Sequence, residues 1–366
     1  MTAPAFDTAP PFDTALCRLT GVRHPLVQTG MGWVAGPRLV SATAEAGALG
    51  VLASATMSTS RLAEAIAEVK RRTDRPFGVN LRADAGDAEE RVDLLIRERV
   101  AVASFALAPD ERLIGRLKDA GVVVIPSVGA RRHAEKVAAW GADAVVVQGG
   151  EGGGHTGAVA TTLLLPQVVD AVDVPVIAAG GFFDGRGLAA ALCYGAAGIA
   201  MGTRFLLTTD STVPDAVKRH YLAAATSDTV VTSRVDGMPH RMLRTGLTRA
   251  AESAHPLRRL PAALRQAWAF KELTGMSWRR LLADGLALRR NHELPWSSVL
   301  LAANAPMLIK AALVDGRPQA GVLPAGQVAG VIDELPSCAE LVDRIVGEAA
   351  AVLADRAATV RPGPAR

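Results

Sequence analysis

From residue 24 to residue 202 the chain alternates short apolar runs with amphipathic segments. The runs are Pro25–Gln28, Leu49–Ala53, Phe77–Leu81, Val100–Leu107, Val122–Pro126, Ala144–Gln148, Val174–Ala178 and Gly198–Met201. Each is rich in Val, Ile, Leu or Ala with little polar alternation. Strands of a parallel sheet covered on both faces by helices have this pattern. Between them, segments such as Ser60–Arg72 and Asp110–Ala120 place apolar residues at helical spacing and charges on the opposite face. Eight strands in series, each followed by a helical or turn segment, predict a (β/α)8 TIM barrel, an α/β fold; a doubly wound open sheet is the competing architecture.

After residue 203 the pattern changes. Ser211–Ala224 and Pro256–Leu288 read as largely helical, as does Pro295–Ala305, with Pro306 closing that run. The organisation expected is a loose N-terminal tail over 1–19 and a barrel over 20–210. A helical, arginine-rich substrate or lid region over 211–310 follows, then a segment returning to the barrel over 311–350 and a tail over 351–366. The apolar segment at 295–305 offers a face for a homodimer.

The 366 residues are 49% hydrophobic and 21% charged, enough to bury a sizeable core and too apolar for general disorder. With 40 basic against 36 acidic residues, no nucleic-acid coat is implied, and 4% aromatics leave little for stacking on single strands. The charge is concentrated locally instead. Residues 255–310 carry nine Lys or Arg against three Asp or Glu, with pairs at Arg258–Arg259, Arg279–Arg280 and Arg289–Arg290. A solvated helix face would explain them; so would an electropositive rim for a phosphate-bearing substrate arm. Cys17, Cys193 and Cys338 are odd in number and far apart, so neither a disulfide framework nor a zinc site is indicated, and a reduced, cytoplasmic setting is expected. No run reaches the roughly 18 apolar residues of a spanning helix, and no membrane partner is expected.

The candidate chemistry lies at the strand ends, where barrel enzymes carry it. The seventh strand runs into Gly180-Gly181 and the eighth into Gly202-Thr203. Loops after these two strands commonly hold a phosphate: glycine lets backbone N–H groups approach its oxygens, and the Thr203 hydroxyl adds a donor. After the sixth strand comes QGGEGGGHTG, residues 148–157. Its formal G-x-G-x-x-G falls in the wrong unit for a dinucleotide fingerprint and reflects glycine density alone. Within it His155 stands in a nearly bare loop, placed to exchange protons near neutral pH or to make a structural hydrogen bond. Glu151 reads as a loop orienter or a surface carboxylate rather than a catalyst. Gln28, Asn80 and Gln148 end strands one, three and six and could hydrogen-bond a planar heterocycle or equally satisfy barrel backbone, while Met31, Gly32 and Trp33 could lie against a flat ring. No clustered ligand set, no strand-terminal lysine and no G-x-S-x-G elbow are present, so metal hydrolysis, Schiff-base and serine-nucleophile chemistry are disfavoured and a bound cofactor is expected.

The segments PLVQTGMGWVAGPRLVSATAEAGALGVLAS, PFGVNLRAD, VVVQGGEGGGHTG, VIAAGGFFDGRGLAAALCYGAAGIAMGTRFLLT and AGQVAGVI together resemble the nitronate monooxygenase (2-nitropropane dioxygenase-like) family over about residues 20–335. That resemblance implies an FMN-dependent barrel. In it, Gly180, Gly181, Gly202 and Thr203 match the FMN phosphate segments. Met31, Gly32, Asn80, Gln148 and Gln327 match positions around the ribityl chain and ring, to which the strand-end reading adds Gln28 as a cofactor contact, and His155 matches the active-site histidine. GMGWVAG, GGEGGGHTG and the basic region look most like an actinobacterial steroid-catabolism branch. That branch is associated with introducing a ring double bond into a hydroxylated C/D-ring carboxyl-CoA, such as 5-hydroxy-7a-methyl-1-oxo-octahydroindene-4-carboxyl-CoA. Arg279, Arg280, Arg289 and Arg290 would then meet the CoA phosphates. The resemblance leaves the electron acceptor or donor unidentified. Competing readings are oxidation of alkyl nitronates with O2, an NAD(P)H-fed enoyl reductase, and a flavin-binding regulatory protein without turnover.

Overall fold

A computed structural model of the chain describes residues 9–106, 109–235, 237–253, 268 and 304–360. Eight parallel strands close into a barrel: β1 (Leu26–Gln28), β2 (Leu49–Ala53), β3 (Phe77–Leu81), β4 (Val102–Phe105), β5 (Val123–Val128), β6 (Val145–Gln148), β8 (Val176–Ala179) and β9 (Gly198–Met201). Closure is made where Gln28 of β1 stands opposite Met201 of β9. The apolar runs therefore mark the barrel strands to within one or two residues.

Two apolar layers hold the barrel. Val27, Val51, Val102, Ile125, Val146 and Ile177 belong to the inner cluster, and residues such as Leu52, Val79 and Val124 pack outward against the helices. The helix Thr59–Arg72 shows how the sequence directs this. The Ser58 side chain caps its first turn, and Leu62, Ala65, Ile66 and Val69 bury one face while the charged residues take the other. Leu62 and Ile66 are fully buried, each worth about 1.5–3 kcal/mol of apolar transfer.

Where they are described, residues near both ends form helices in place of the loose tails expected. Ala15–Thr20 is a helix capped by Thr14, and Leu16, fully buried, belongs to the barrel's inner cluster. A Cβ on Gly198 would lie 2.8 Å from Leu16 Cδ2, so this helix plugs the end where β9 begins. At the other terminus Cys338–Thr359 is one helix with a Ser337–Glu340 capping box, running through residues 351–359 that the composition assigned to a tail. It packs on the helix Gly185–Cys193, where the backbone of Gly185 leaves no room for a Cβ beside Ile345 and Glu348.

Two further strands, absent from the sequence reading, follow the barrel. β10 (Thr229–Thr232) and β11 (His240–Leu243) pair antiparallel, and β11 also pairs with the two-residue strand β7 (Gly154–His155). The helix Asn304–Leu313 runs through Pro306, and the Pro295–Ala305 run that Pro306 was expected to close lies, up to residue 303, outside the described residues. No helix among the described residues is long and apolar enough to cross a membrane.

Candidate active site at the barrel mouth

Four loops meet at the C-terminal ends of the strands. Gly149, leaving β6, donates its N–H to Ala179 O at 2.9 Å. A Cβ there would come within 2.6 Å of the Thr161 backbone, so only glycine fits. Gly180 and Gly181 take φ of +95° and +85°, a left-handed backbone that any side chain would strain. Glu151 then locks the loop. Its carboxylate accepts the Thr161 N–H at 3.0 Å and the Thr161 hydroxyl at 2.7 Å, and its carbonyl accepts the Gln327 N–H at 3.0 Å. Glu151 therefore caps the helix Thr161–Val169, the orienting role its position indicated.

The phosphate-type segments converge on the same place. The Thr203 hydroxyl oxygen accepts the Gly326 N–H at 2.9 Å, which leaves the hydroxyl hydrogen to donate elsewhere. Gly153 packs so closely on Ala325 and Gly326 that a Cβ would lie 2.5 Å from Gly326 N. Thr29 Oγ1 and Met31 Sδ lie 3.2 and 3.5 Å from the point a Gly202 Cβ would occupy, which brings the loops after β1 and β9 together. Gly202, Thr203, Met31 and Gln327 thus share one neighbourhood with the loop carrying Glu151, and Gly181 faces the Glu151 side chain.

The strand-terminal amides are placed differently from one another. Gln28 is fully buried; its Nε2 donates to the carbonyls of Thr29 and Val51, and its Oε1 has no hydrogen-bond partner among the described residues. A buried unsatisfied oxygen costs about 1–3 kcal/mol, which a donor from a bound group would recover. Asn80 Nδ2 donates to Ser104 Oγ at 3.3 Å, and Gly30 lies hard against its side chain. Gln148 Nε2 donates at 2.8 Å to the carbonyl of His155, bracing the loop rather than pointing away from it. Gly32 borders Thr56. Trp33 adopts φ of +67° and donates its indole N–H to Pro306 O at 2.8 Å, tying the loop after β1 to the helix Asn304–Leu313.

His155 is exposed at the mouth, directly opposite buried His240 in the β7–β11 ladder. Their rings lie 4.7 Å apart, centroid to centroid, tilted by 47°. Next to His240, the Arg241 guanidinium donates twice to Gly150 O, at 3.2 and 2.8 Å, and once to Thr229 Oγ1 at 3.0 Å. Burial draws its pKa below arginine's usual value, and the Glu151 carboxylate opposes that shift. Sequence reasoning missed both residues. The β-branched TVVT followed by a D-G turn and HRML was the available hairpin signal, but nothing in it points to a contact with the distant glycine loop. Arg279, Arg280, Arg289 and Arg290 lie outside the described residues.

Comparison with known proteins places this geometry. The chain is 68% identical over 339 residues, 92% of its length and 96% of the relative's, to a Mycobacterium tuberculosis protein named (3aS,4S,5R,7aS)-5-hydroxy-7a-methyl-1-oxo-octahydro-1H-indene-4-carboxyl-CoA dehydrogenase. It is 64% identical over 336 residues to the Rhodococcus jostii protein of the same name, covering 92% of this chain and 95% of that one. The solved structure of FabK from Thermotoga maritima superposes with a TM-score of 0.77 at 32% identity, over 95% of this chain and all of that one. The family profile described as nitronate monooxygenase matches residues 13–93 and 85–348. The chain belongs to the nitronate monooxygenase family.

Proposed function

We propose that this chain is an FMN-dependent dehydrogenase of steroid C/D-ring breakdown, acting in the cytoplasm, that introduces a ring C=C bond into a hydroxy-methyl-oxo-octahydroindene carboxyl-CoA. The observation that carries this reading is the identity of 68% across almost the whole of a relative bearing that activity as its name. The mouth suits the cofactor. Gly180 and Gly181 present left-handed backbone without side chains, Thr203 retains a hydroxyl donor beside Gly202, and the buried Gln28 Oε1 awaits a donor. Gly180, Gly181, Gly202 and Thr203 would hold the phosphate. Gln28, Met31, Gly32, Asn80, Gln148 and Gln327 would line the ribityl chain and ring. Bound there, FMN would supply a two-electron acceptor for a hydride from the ring carbon one bond beyond the carbon next to the thioester.

The chain's own part is to orient the substrate and move the proton. A C–H beside a thioester carbonyl is acidified because its electron pair delocalises into that carbonyl, so a neutral imidazole suffices as base. His155 takes that proton reversibly, leaving its electron pair delocalised into the thioester carbonyl, and the loss of the hydride from the next carbon then completes the oxidation of CH–CH to C=C. Gln148 holds the His155 backbone from below. Arg279, Arg280, Arg289 and Arg290 supply guanidiniums for the CoA phosphates, whose geometry an arginine fork matches.

The test is an anaerobic visible spectrum of FMN-loaded protein before and after adding the hydroxylated ring carboxyl-CoA. Loss of the oxidised flavin band is expected. Protein that stays yellow with this thioester but bleaches with an alkyl nitronate would replace the reading with nitronate oxidation. In the same assay, Arg279→Ala with Arg280→Ala should weaken CoA-substrate binding about tenfold or more.

A further inference from the structure

We propose that Trp33 is a specificity-determining residue: its indole, fixed by Pro306, forms the apolar wall that receives the substrate's fused ring. It thereby favours a bulky ring thioester over a short acyl thioester. This rests on the reading of the chain as a ring carboxyl-CoA dehydrogenase. Trp33 follows β1 at the barrel mouth, in a turn closed by the Met31 carbonyl, which accepts the N–H groups of Val34 at 3.1 Å and Ala35 at 2.9 Å. Its φ of +67° is one that bulky residues rarely adopt and glycine adopts freely. The same stretch carries glycine at 30, 32 and 36. A strained residue kept where glycine would fold more easily points to a use for its side chain.

That side chain serves no core. A packed aromatic buries about 150–250 Å², yet Trp33 stays partly exposed and joins none of the four apolar clusters formed by the described residues. Met31, two residues earlier, does pack on one of them. The indole is held in place all the same. Its N–H donates to Pro306 O at 2.8 Å, and the helix Asn304–Leu313 is itself anchored: Ala305 is buried with Met242 and Val322, and Leu308 O accepts the Val322 N–H at 3.2 Å. Met31 Sδ lies toward Gly202 at the end of β9, whereas Trp33 reaches to a helix outside the barrel. The cofactor side of this loop is therefore at Met31, and the indole stands at the rim that a substrate passes. A carboxyl-CoA offers the same phosphates whatever acid it carries, so arginines that meet them cannot tell one acyl group from another. The octahydroindene ring is a rigid, largely saturated hydrocarbon, and the flat face of a fixed indole gives it apolar surface to lie against.

The experiment compares the binding of two thioesters, the hydroxylated ring carboxyl-CoA and butyryl-CoA, by anaerobic calorimetry. The protein is loaded with FMN and reduced, so that neither thioester is oxidised. Trp33→Gly removes the wall and relieves the backbone, so the thermal midpoint should hold while affinity for the ring thioester falls about ten- to a hundredfold. Affinity for butyryl-CoA should change less than about threefold, and affinity for FMN should not change. Trp33→Phe keeps a flat ring and should keep most of the ring-thioester affinity. Trp33→Asn, which also tolerates left-handed backbone, should behave as Trp33→Gly does. Equal losses for the two thioesters, or no loss for the ring thioester, would overturn the proposal. A comparable loss of FMN would place the indole on the cofactor, and a steep drop in midpoint with both Gly and Asn would make Trp33 structural; either result overturns it too. A ring thioester that neither binds nor reduces the unaltered FMN-loaded protein would instead sink the functional reading on which the proposal rests.

Discussion

The two ends of the barrel are built from the same eight strands and contrast in almost every property. At the N-terminal end, the floor, the helix Ala15–Thr20 closes the interior with Leu16, which is fully buried. Gly198 is a glycine there because Pro25 and Leu16 press on it, so the constraint is packing. At the mouth, glycines are needed for left-handed backbone and for loop-to-loop approach, polar side chains such as Gln28 are buried with an unmet acceptor, and His155 is exposed. The floor spends its residues on excluding water, the mouth on presenting backbone and hydrogen-bonding groups. Substitutions at the floor should therefore be read in stability and those at the mouth in chemistry, as expected for barrels whose active sites sit at the C-terminal face.

The contrast breaks most visibly at His155. Replacing it with Ala should lower the rate of substrate-dependent flavin reduction about 10²–10⁴-fold while the thermal midpoint stays unchanged, measured by stopped-flow absorbance and calorimetry. A large drop in the midpoint would make His155 structural. The mirror experiment is Leu16→Ala at the floor. Denaturant unfolding should show a loss of about 2–5 kcal/mol, with the reduction rate per bound flavin unaltered.

A pH titration sharpens the same division. His24, buried beside the floor helix, is held neutral: burial, reinforced by neighbouring Arg23 and opposed by Asp343, takes its pKa down from 6.5 to about 4. The unfolded chain then binds a proton first, so stability from this group is complete above pH 6.5 and is lost as the pH falls toward 4. The loss is at most about 3 kcal/mol. His24→Gln should flatten that part of the stability–pH curve, and an unchanged slope would show that His24 does not carry it. The smallest effect belongs to Glu151, a mouth residue with a structural task. Glu151→Gln keeps an acceptor for Thr161 but removes its charge, and should cost about 1 kcal/mol of stability.

The same contrast explains what could be read from the chain. Strands such as Leu49–Ala53 are buried on both faces, so they appear as continuous apolar runs whose ends place Gln28, Asn80, Gln148, Gly180 and Gly202 at the mouth. His155 was legible because it stands alone among glycines. His240 and Arg241 were not, since their meeting with the 148–157 loop depends on a strand only two residues long, formed through tertiary pairing. The terminal helices were hidden for a different reason. Thr14 and the residues before it are rich in Pro and Ala, and a plug helix of six residues carries too little periodicity to outweigh them.

The most direct test of the account is deuterium exchange at the carbon beside the thioester. The protein, its flavin reduced so that no net oxidation can occur, would be incubated with the hydroxylated ring carboxyl-CoA in D2O and the thioester weighed by mass spectrometry. The account predicts uptake of one deuterium with the unaltered protein and none with His155→Ala. Equal uptake by both proteins, or none by the unaltered one, would contradict the assignment of the proton to His155 and with it the division of labour between mouth and floor.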